Sequence, residues 1–375
     1  MTQQGVFRRL ILPGLAFKAV VIGGGYATGR ELAEFFLPCG PRGALLAMAV
    51  SMLIWSVVCI VTFLFARATA SLDYRSFFAA LLGRGWIIFE LAYLALLLLV
   101  LSVFGAAAGA IVHALFDPPA FVGTVALAVA IALVVWHGNS SVERAFKYIS
   151  ILLYACYASF LTVCSLRFGP AITHALKADW SAHSSWVAAG VNYAGYNVVG
   201  AISILPVVRH MRSQKDAVLA GALCGPLAML PAMAFLLCML AFYPSIQTVT
   251  LPSDVMLDRL SLPLFRLAFQ FMILFALLES GAACVNAVNQ RVEGALIRRG
   301  RASGPSLRLA TSTLLLVAAM VIAGRFGLVT LIAKGYRGLT VLFVIVYIVP
   351  LLTLGTWALL RRRTDSHATC SLQSD

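Results

Sequence analysis

The sequence contains few charged residues. Only 11% of its 375 residues are Asp, Glu, Lys or Arg, whereas 61% are hydrophobic and the mean hydropathy is +0.95. A soluble domain is about 25% charged and about 45–50% apolar, so this composition excludes an ordinary soluble protein. Because one transmembrane helix needs about 20 mostly apolar residues, the long apolar runs predict a polytopic, all-α membrane protein.

Motifs for enzyme chemistry and metal binding are also absent from the sequence. It contains no Gly-x-Ser-x-Gly, His-Glu-x-x-His or paired-Asp motif, which argues against a membrane enzyme. The eight cysteines form no Cys-x-x-Cys pair and the histidines are scattered, so we expect no disulfide framework, metal site or cofactor. The loops are too short for a signalling domain, which leaves a sensor or structural membrane protein as a weaker alternative. No cleavable signal is recognised before the first apolar run, and insertion is expected to rely on the first helix.

Ten apolar runs between charged or Pro/Gly-rich breaks define the predicted spans. The first five are residues 10–37, 43–66, 86–115, 119–136 and 148–168, and the second five are residues 186–208, 217–242, 263–289, 307–323 and 340–360. Each set opens with a glycine-interrupted run and has a long third member that carries a carboxylate. Because five is odd, the second set would cross the membrane in the opposite orientation. The pattern predicts an inverted repeat in one transmembrane domain, with residues 1–170, 186–360 and a tail of 361–375.

The net charge of +14 follows from the distribution of Lys and Arg. Most of these residues lie in the short connections on the side that holds both ends of the chain, and cytoplasmic loops retain such an excess. We therefore expect both termini in the cytoplasm. The lipid bilayer, and not nucleic acid, accounts for the positive charge.

The first predicted span is interrupted by three consecutive glycines, Gly23, Gly24 and Gly25. Each costs a helix about 1 kcal/mol relative to alanine, so we expect the helix to unwind there and Tyr26 to line the opening. Unwound backbone at membrane depth is tolerated only where it is buried in protein or lines a wet cavity. The alternative is that the glycines only allow two helices to pack closely.

The residues after these glycines resemble a helix start. Thr28 and Glu31 have the spacing of a capping box, which predicts a second half-helix that restarts at Gly29. Free backbone N–H groups at such a start suit an anionic ligand group. We therefore expect Thr28 and the glycines to bind a substrate that carries a carboxylate.

The sixth predicted span carries two amides and two phenols in an otherwise apolar run. Asn192 and Tyr196 share one helical face, and Tyr193 and Asn197 share another. A break at Gly195 with Asn197 as the next N-cap would mirror the first span. We expect Tyr193, Tyr196 and Asn197 to line the substrate site, although interhelical hydrogen bonding is an alternative role.

The eighth predicted span carries a carboxylate near its middle. Glu279, Asn286 and Gln290 form one stripe at helical spacing, and an unpaired charge at the membrane centre costs at least about 2.5 kcal/mol. Glu279 is therefore the leading candidate for proton coupling, and Asn286 shares its face. A structural carboxyl bonded to backbone or to Lys18 is the alternative.

Other charged residues in the spans are candidates for coupling or gating. Lys18 lies before the glycine break, where a buried ammonium can pair with a carboxylate or take the place of a sodium ion, although lysines there more often extend to the interface. Arg30 and Glu34 are spaced i,i+4, which predicts an outer gate or an ordinary surface pair. Glu90, near the cytoplasmic boundary of the third span, is expected in an inner-gate salt bridge.

The run from Ile22 to Glu31, the tyrosine-rich sixth span and the segment from Glu279 to Asn289 resemble the YkvI-like bacterial membrane proteins. That family is similar to the amino acid-polyamine-organocation superfamily. The resemblance implies a LeuT-type fold with two inverted five-helix repeats and a substrate held by broken spans one and six. It implies a secondary active transporter of a small organic solute, such as an amino acid or a related carboxylate or amine.

The resemblance also bears on the coupling ion. Metal carriers of that fold have Asp-Pro-Gly and Met-Pro-His runs that this sequence lacks, so divalent-metal transport is not expected. Sodium coupling in the fold uses hydroxyls of span eight, and only Ser280 is near Glu279. Coupling to H⁺ is therefore favoured over coupling to Na⁺.

Overall fold

The computed structural model describes residues 3–22, 24–137, 140–177, 185–300 and 304–361, and the regular structure in these ranges is helical, with no strand. The helices are α1 (Leu12–Val21), α2 (Arg30–Phe35), α3 (Gly40–Thr69), α4 (Tyr74–Leu82), α5 (Trp86–Phe116), α6 (Ala120–His137), α7 (Ser140–Lys177), α8 (Trp186–Asn197), α9 (Val199–Ser203), α10 (Gln214–Leu240), α11 (Pro252–Arg259), α12 (Pro263–Ile297), α13 (Pro305–Thr330) and α14 (Arg337–Phe343). Proline lies in the first turn of α1, α3, α11, α12 and α13. Its missing N–H would be unpaired there in any case.

The helices form long apolar stretches. In the described ranges, six are long and apolar enough to cross a membrane: Arg30–Thr69, Tyr74–Phe116, Leu153–Lys177, Gln214–Leu240, Pro263–Ile297 and Pro305–Arg361. The last stretch has 57 residues, far more than the roughly 20 that one crossing needs, and its backbone leaves helical geometry at Gly327. The number of ten spans and the inverted repeat stay predictions.

The first predicted break is present in the structure. Helix α1 ends at Val21, and Ile22 leaves helical geometry with φ −83° and ψ 74°. A single helical turn, Gly24–Ala27, follows, and α2 begins at Arg30. The predicted restart of the helix at Gly29 is wrong by one residue. Gly29 precedes the first helical residue and takes a left-handed φ of 77°, which glycine adopts at little cost. Gly23 lies outside the described residues.

The second predicted break lies close to Gly195 but not at it. Helix α8 ends at Asn197 and α9 begins at Val199, although Val198 between them keeps near-helical angles of φ −59° and ψ −21°. A larger departure follows at Ile204, with φ −102° and ψ 9°. Pro206 explains this position, because proline removes a helical hydrogen bond and clashes with the preceding turn. A Cβ at Gly195 would clash with the side chain of Thr340 on α14, so this glycine serves close packing.

Helix α3 forms the support against which α8 and α10 pack. A Cβ at Gly190 of α8 would lie 2.5 Å from the Ala47 carbonyl oxygen, and one at Gly221 of α10 would lie 2.6 Å from backbone atoms of Ile60. Small residues let helices in a membrane approach this closely. The Ser51 hydroxyl donates a hydrogen bond to the Gly190 carbonyl at 2.8 Å. These contacts fix α8, and with it the tyrosines that it carries.

Candidate functional site

The centre of the candidate site is a buried carboxylate in the first turn of α2. The Glu31 residue is 6% exposed, and its Oε2 accepts a hydrogen bond from the Tyr196 hydroxyl of α8 at 2.7 Å. The predicted capping box is wrong for this side chain, which bonds across to α8 and not to its own helix start. The Thr28 hydroxyl does accept the Arg30 backbone N–H, at 3.3 Å.

Aromatic rings surround this carboxylate. We call them the aromatic cluster, and its members are Tyr26, Phe35, Phe36, Tyr193, Tyr196 and Tyr336, all buried. Tyr196 stacks on Tyr336 with 4.3 Å between ring centres and meets Tyr193 edge to face at 5.7 Å. The phenols of Tyr26, Tyr193 and Tyr336 lie within electrostatic range of Glu31. The cluster combines a low-polarity wall with a few polar groups, which is the composition of small-molecule sites.

The predicted substrate residues occupy different positions around this centre. Tyr26, Thr28 and Tyr193 are fully buried, and among the described residues the Tyr193 hydroxyl has no hydrogen-bond partner. Asn197 is half-buried and is not an N-cap, since its amide donates to the Tyr193 carbonyl at 3.0 Å. The two segments were expected to face each other across a cavity, but they meet directly through Glu31.

On one side of this centre lies a group that we call the Arg30 layer: Arg30, Glu34, Gln247, Val249 and Arg337. The Arg30 residue is 3% exposed; its guanidinium pairs with Glu34 at 2.6 Å and donates to the carbonyls of Gln247 and Val249 at 2.6 and 2.9 Å. Arg337 lies 3.6 Å from the other Glu34 oxygen. This pair is therefore buried and crosslinks three segments, unlike an ordinary helix-surface pair.

Helix α11 covers the helix break on the same side. The Ser253 backbone N–H donates to the Thr28 carbonyl at 3.0 Å, next to the start of α2. Arg266 of α12 binds both Asp254 oxygens at 2.8 Å, and the Gln270 amide binds the same carboxylate at 2.7 Å. The sequence analysis missed this clamp, whose only sequence signal is an acidic residue and an arginine in successive helix starts.

A second ion pair joins Glu90 and Arg291. We call this pair, together with the neighbouring rings of Tyr74 and Tyr93, the Glu90 layer. Arg291 Nε lies 3.2 Å from Glu90 Oε1, and its guanidinium lies over the rings of Tyr74 and Tyr93, at 4.6 and 4.3 Å. The predicted salt bridge of Glu90 is present. Along α12, Arg291 is about 37 Å from Arg266 at 1.5 Å per residue, so the Asp254–Arg266 clamp and the Glu90 layer lie at opposite ends of this helix.

The residues predicted for ion coupling take no part in the hydrogen bond between Glu31 and Tyr196. Glu279 and Ser280 are half-buried on α12, and Asn286 is exposed, where it lines a cleft of about 690 Å³. Lys18 is half-buried, with its ammonium 4.6 Å from the centre of the Tyr154 ring. Their role in coupling stays a prediction.

Comparison with known proteins identifies the fold. No protein-family model and no curated protein matches the sequence. A Na⁺-coupled sialic acid symporter in a substrate-bound outward-open state is similar in structure, with a TM-score of 0.58 and 13% identity over 89% of this chain and 78% of that one. The fold is that of a LeuT-type transporter.

Two further structures agree with this assignment. MhsT in complex with L-phenylalanine has a TM-score of 0.55 and 16% identity, over 96% of this chain and 97% of that one. The manganese transporter of Eremococcus coleocola, in complex with an aromatic bis-isothiourea substituted compound, has values of 0.51 and 17% over 93% and 79%. These neighbours are transporters and not enzymes, and the chain is an integral membrane protein. The resemblance to the YkvI-like proteins remains an interpretation of the sequence.

Proposed function

We propose that the protein is a secondary active transporter that moves a small organic solute, an amino acid or a related carboxylate or amine, by alternating access. The observation that carries this proposal is the buried polar centre at Glu31 together with two ion-pair layers, the Arg30 layer and the Glu90 layer. Alternating access requires a central site that is closed to one side while it is open to the other. The Arg30 and Glu90 layers are the two closures of this proposal.

The solute site lies in this proposal between the interrupted first span and α8. Gly24 and Gly25 begin a new helical turn, and the first N–H groups of a helical segment have no partner within it. Tyr26, Tyr193 and Tyr196 supply rings that pack against apolar parts of the solute, and their hydroxyls supply orientation. This arrangement favours a small solute with both polar and apolar parts.

An ion gradient, of H⁺ or Na⁺, drives accumulation in this proposal. In this proposal the protein lies in a bacterial inner membrane, which the resemblance to the YkvI-like bacterial proteins implies. Both termini lie in the cytoplasm, because the Lys and Arg residues cluster on that side.

Uptake into proteoliposomes tests the function. Purified protein is reconstituted, and entry of labelled amino acids, small amines and small carboxylates is measured with an imposed pH gradient, with a Na⁺ gradient and with neither. We expect at least one solute to accumulate above protein-free liposomes, and Tyr196→Ala to reduce that uptake at least tenfold. Thr353→Ala, on an exposed helix surface, serves as the matched control and should retain it. No accumulation of any solute under any gradient would contradict the proposal.

A further inference from the structure

Glu31 lacks a compensating positive charge. Within the described residues its carboxylate makes one side-chain hydrogen bond, from Tyr196, and no ion pair. The neighbouring Arg30 directs its guanidinium to Glu34 and to the carbonyls of Gln247 and Val249. A carboxylate that is 6% exposed and unpaired is costly in its ionised form, because burial removes the water that stabilises the charge.

The groups that face Glu31 from the surrounding elements are phenols. Tyr193 and Tyr196 belong to α8, Tyr336 to the segment Leu331–Tyr336, and Tyr26 to the turn Gly24–Ala27. Tyr157 of α7 donates to the Tyr26 hydroxyl at 3.3 Å. On its own helix the charged neighbours are Arg30 and Glu34, which pair with each other. Among these described groups none is a cation directed at Glu31.

A proton fits this setting better than a metal cation. A hard metal cation is held by roughly six or more oxygen ligands, largely carboxylates, carbonyls and waters, whereas this centre combines one carboxylate with neutral phenol hydroxyls on aromatic rings. A proton needs one carboxylate oxygen. Once protonated, Glu31 also gains a donor, and the Tyr193 hydroxyl nearby has no partner in the described structure.

We propose that Glu31 is the group that binds and releases the proton coupled to transport, and that Tyr196 is its positioning residue across the two interrupted segments. This inference rests on the proposed function and names its coupling ion. A proton from water binds the carboxylate while the site is open to one side of the membrane, the site then closes to that side and opens to the other with proton and solute bound, and the proton returns to water there. No other bond forms or breaks. Proton binding removes the negative charge of Glu31, which accepts the hydrogen bond from Tyr196. It therefore weakens the hydrogen bond that joins α2 to α8.

Infrared spectroscopy tests this proposal without a transport assay. The full-length protein in lipid nanodiscs is titrated from alkaline to acidic pH, and the C=O stretch of buried protonated carboxyl groups is recorded as a difference spectrum. We expect Glu31→Gln to lose one such band and Glu31→Asp to keep it. Tyr196→Phe should shift the band to higher frequency, because the carbonyl loses its hydrogen-bond donor. Glu293→Gln changes a carboxylate that pairs with Arg308 at the protein surface and is the matched control.

Several outcomes would overturn the proposal. One is a band that persists at full intensity in Glu31→Gln, and another is a band that disappears instead in Glu279→Gln. A third is that Na⁺ or a transported amine, added at constant pH, binds Glu31 in place of the proton and the titration shows no separate proton step. In proteoliposomes, Glu31→Gln should abolish accumulation driven by a pH gradient and spare solute exchange. If the wild-type protein transports no solute but the band follows Glu31, the proposed function fails while the assignment of the proton site stands.

Discussion

The Tyr193 hydroxyl gives a prediction at the scale of one residue, because we expect it to contribute to solute binding and not to folding. It is fully buried and has no hydrogen-bond partner in the described structure, which costs about 1–3 kcal/mol of desolvation. Tyr193→Phe should therefore leave the thermal unfolding temperature unchanged or raise it, while solute affinity falls. Equilibrium binding and thermal unfolding of the purified protein measure the two effects.

Tyr347→Phe is the control for this prediction. Tyr347 is also fully buried, but its hydroxyl forms a hydrogen bond with Thr62 at 2.6 Å, so the substitution should destabilise the protein by about 1 kcal/mol. If both variants lose the same stability, the Tyr193 hydroxyl has a partner.

Gly195 gives a second prediction at the scale of one residue. Gly195→Ala adds a methyl group that clashes with Thr340, and such overpacking costs about 1–3 kcal/mol. Gly338→Ala, where a Cβ meets no atom within 4 Å, should be neutral or slightly stabilising, because alanine favours the helix. Unfolding temperatures in the same detergent compare the two variants, and equal values would show that α8 and α14 are less closely packed.

At the scale of helices, the interruption of the first span was located more exactly than that of the sixth. Three consecutive glycines disfavour a helix through local energetics alone, so the sequence located that break. Gly195 is a single glycine, which disfavours a helix less, and its packing role depends on Thr340, which is distant in sequence. Glu31 was interpreted as a capping residue because Thr28 lies three residues before it, whereas its actual partner, Tyr196, lies on another helix. The signal that was overlooked is Pro206, which ends the helical geometry.

Breaking either ion-pair layer should have a local effect on hydrogen–deuterium exchange, in a different part of the molecule for each layer. Glu34→Gln removes the partner of a buried arginine, which costs about 1.5–3 kcal/mol, and should accelerate hydrogen–deuterium exchange in the Arg30 layer and α11. Glu90→Gln should accelerate exchange in α4 and the first turns of α5. Mass spectrometry measures both, and each variant is the control for the other. Acceleration at both ends in one variant would show that the layers do not open separately.

Helix α4, which supports the Glu90 layer, depends on a cap whose strength changes with pH. Asp73 accepts the backbone N–H groups of Arg75 and Ser76 at 3.0 and 2.9 Å. Burial alone would raise the pKa of the Asp73 carboxyl, but hydrogen bonds from Ser76 and the nearby Arg75 lower it below its usual value. Because the folded-state pKa is lowered, its contribution is present above the unfolded pKa of about 3.9 and is lost as pH falls through the folded value.

Asp73→Ala should therefore cost about 1 kcal/mol at pH 7, and this difference from the wild type should decrease as the pH falls below about 4. Thermal unfolding at several pH values measures it. A difference that stays constant down to pH 3 would show that the charge of Asp73 does not contribute to the cap.

For the whole molecule, the composition predicted a helical membrane protein and the resemblance implied its fold, which the structural neighbours confirm. The centre was harder to predict, because the contacts of Glu31 and Arg30 join residues that are far apart in the chain. Sequence periodicity places a residue on one face of its helix and does not identify the partner helix.

The predicted topology can be tested at the two ends of the chain. Ten spans place both ends on the same side of the membrane, whereas an odd number would separate them. Epitope tags before Gln3 and after the last residue should both be accessible to antibody in inside-out vesicles and protected in intact spheroplasts. Accessibility of only one tag in either preparation would contradict the predicted number of spans.

Helix α12 has a mechanical consequence. It is one continuous helix of 35 residues that carries Arg266 near one end and Arg291 near the other. Near its middle, Gly281 contacts Ile131 of α6 so closely that a Cβ would clash. If α12 tilts as a rigid body about this contact, its two ends move in opposite directions. Release of the Asp254–Arg266 clamp, on the same side as the Arg30 layer, and engagement of the Glu90 layer would then be a single rigid-body movement, with no signal needed through the solute itself.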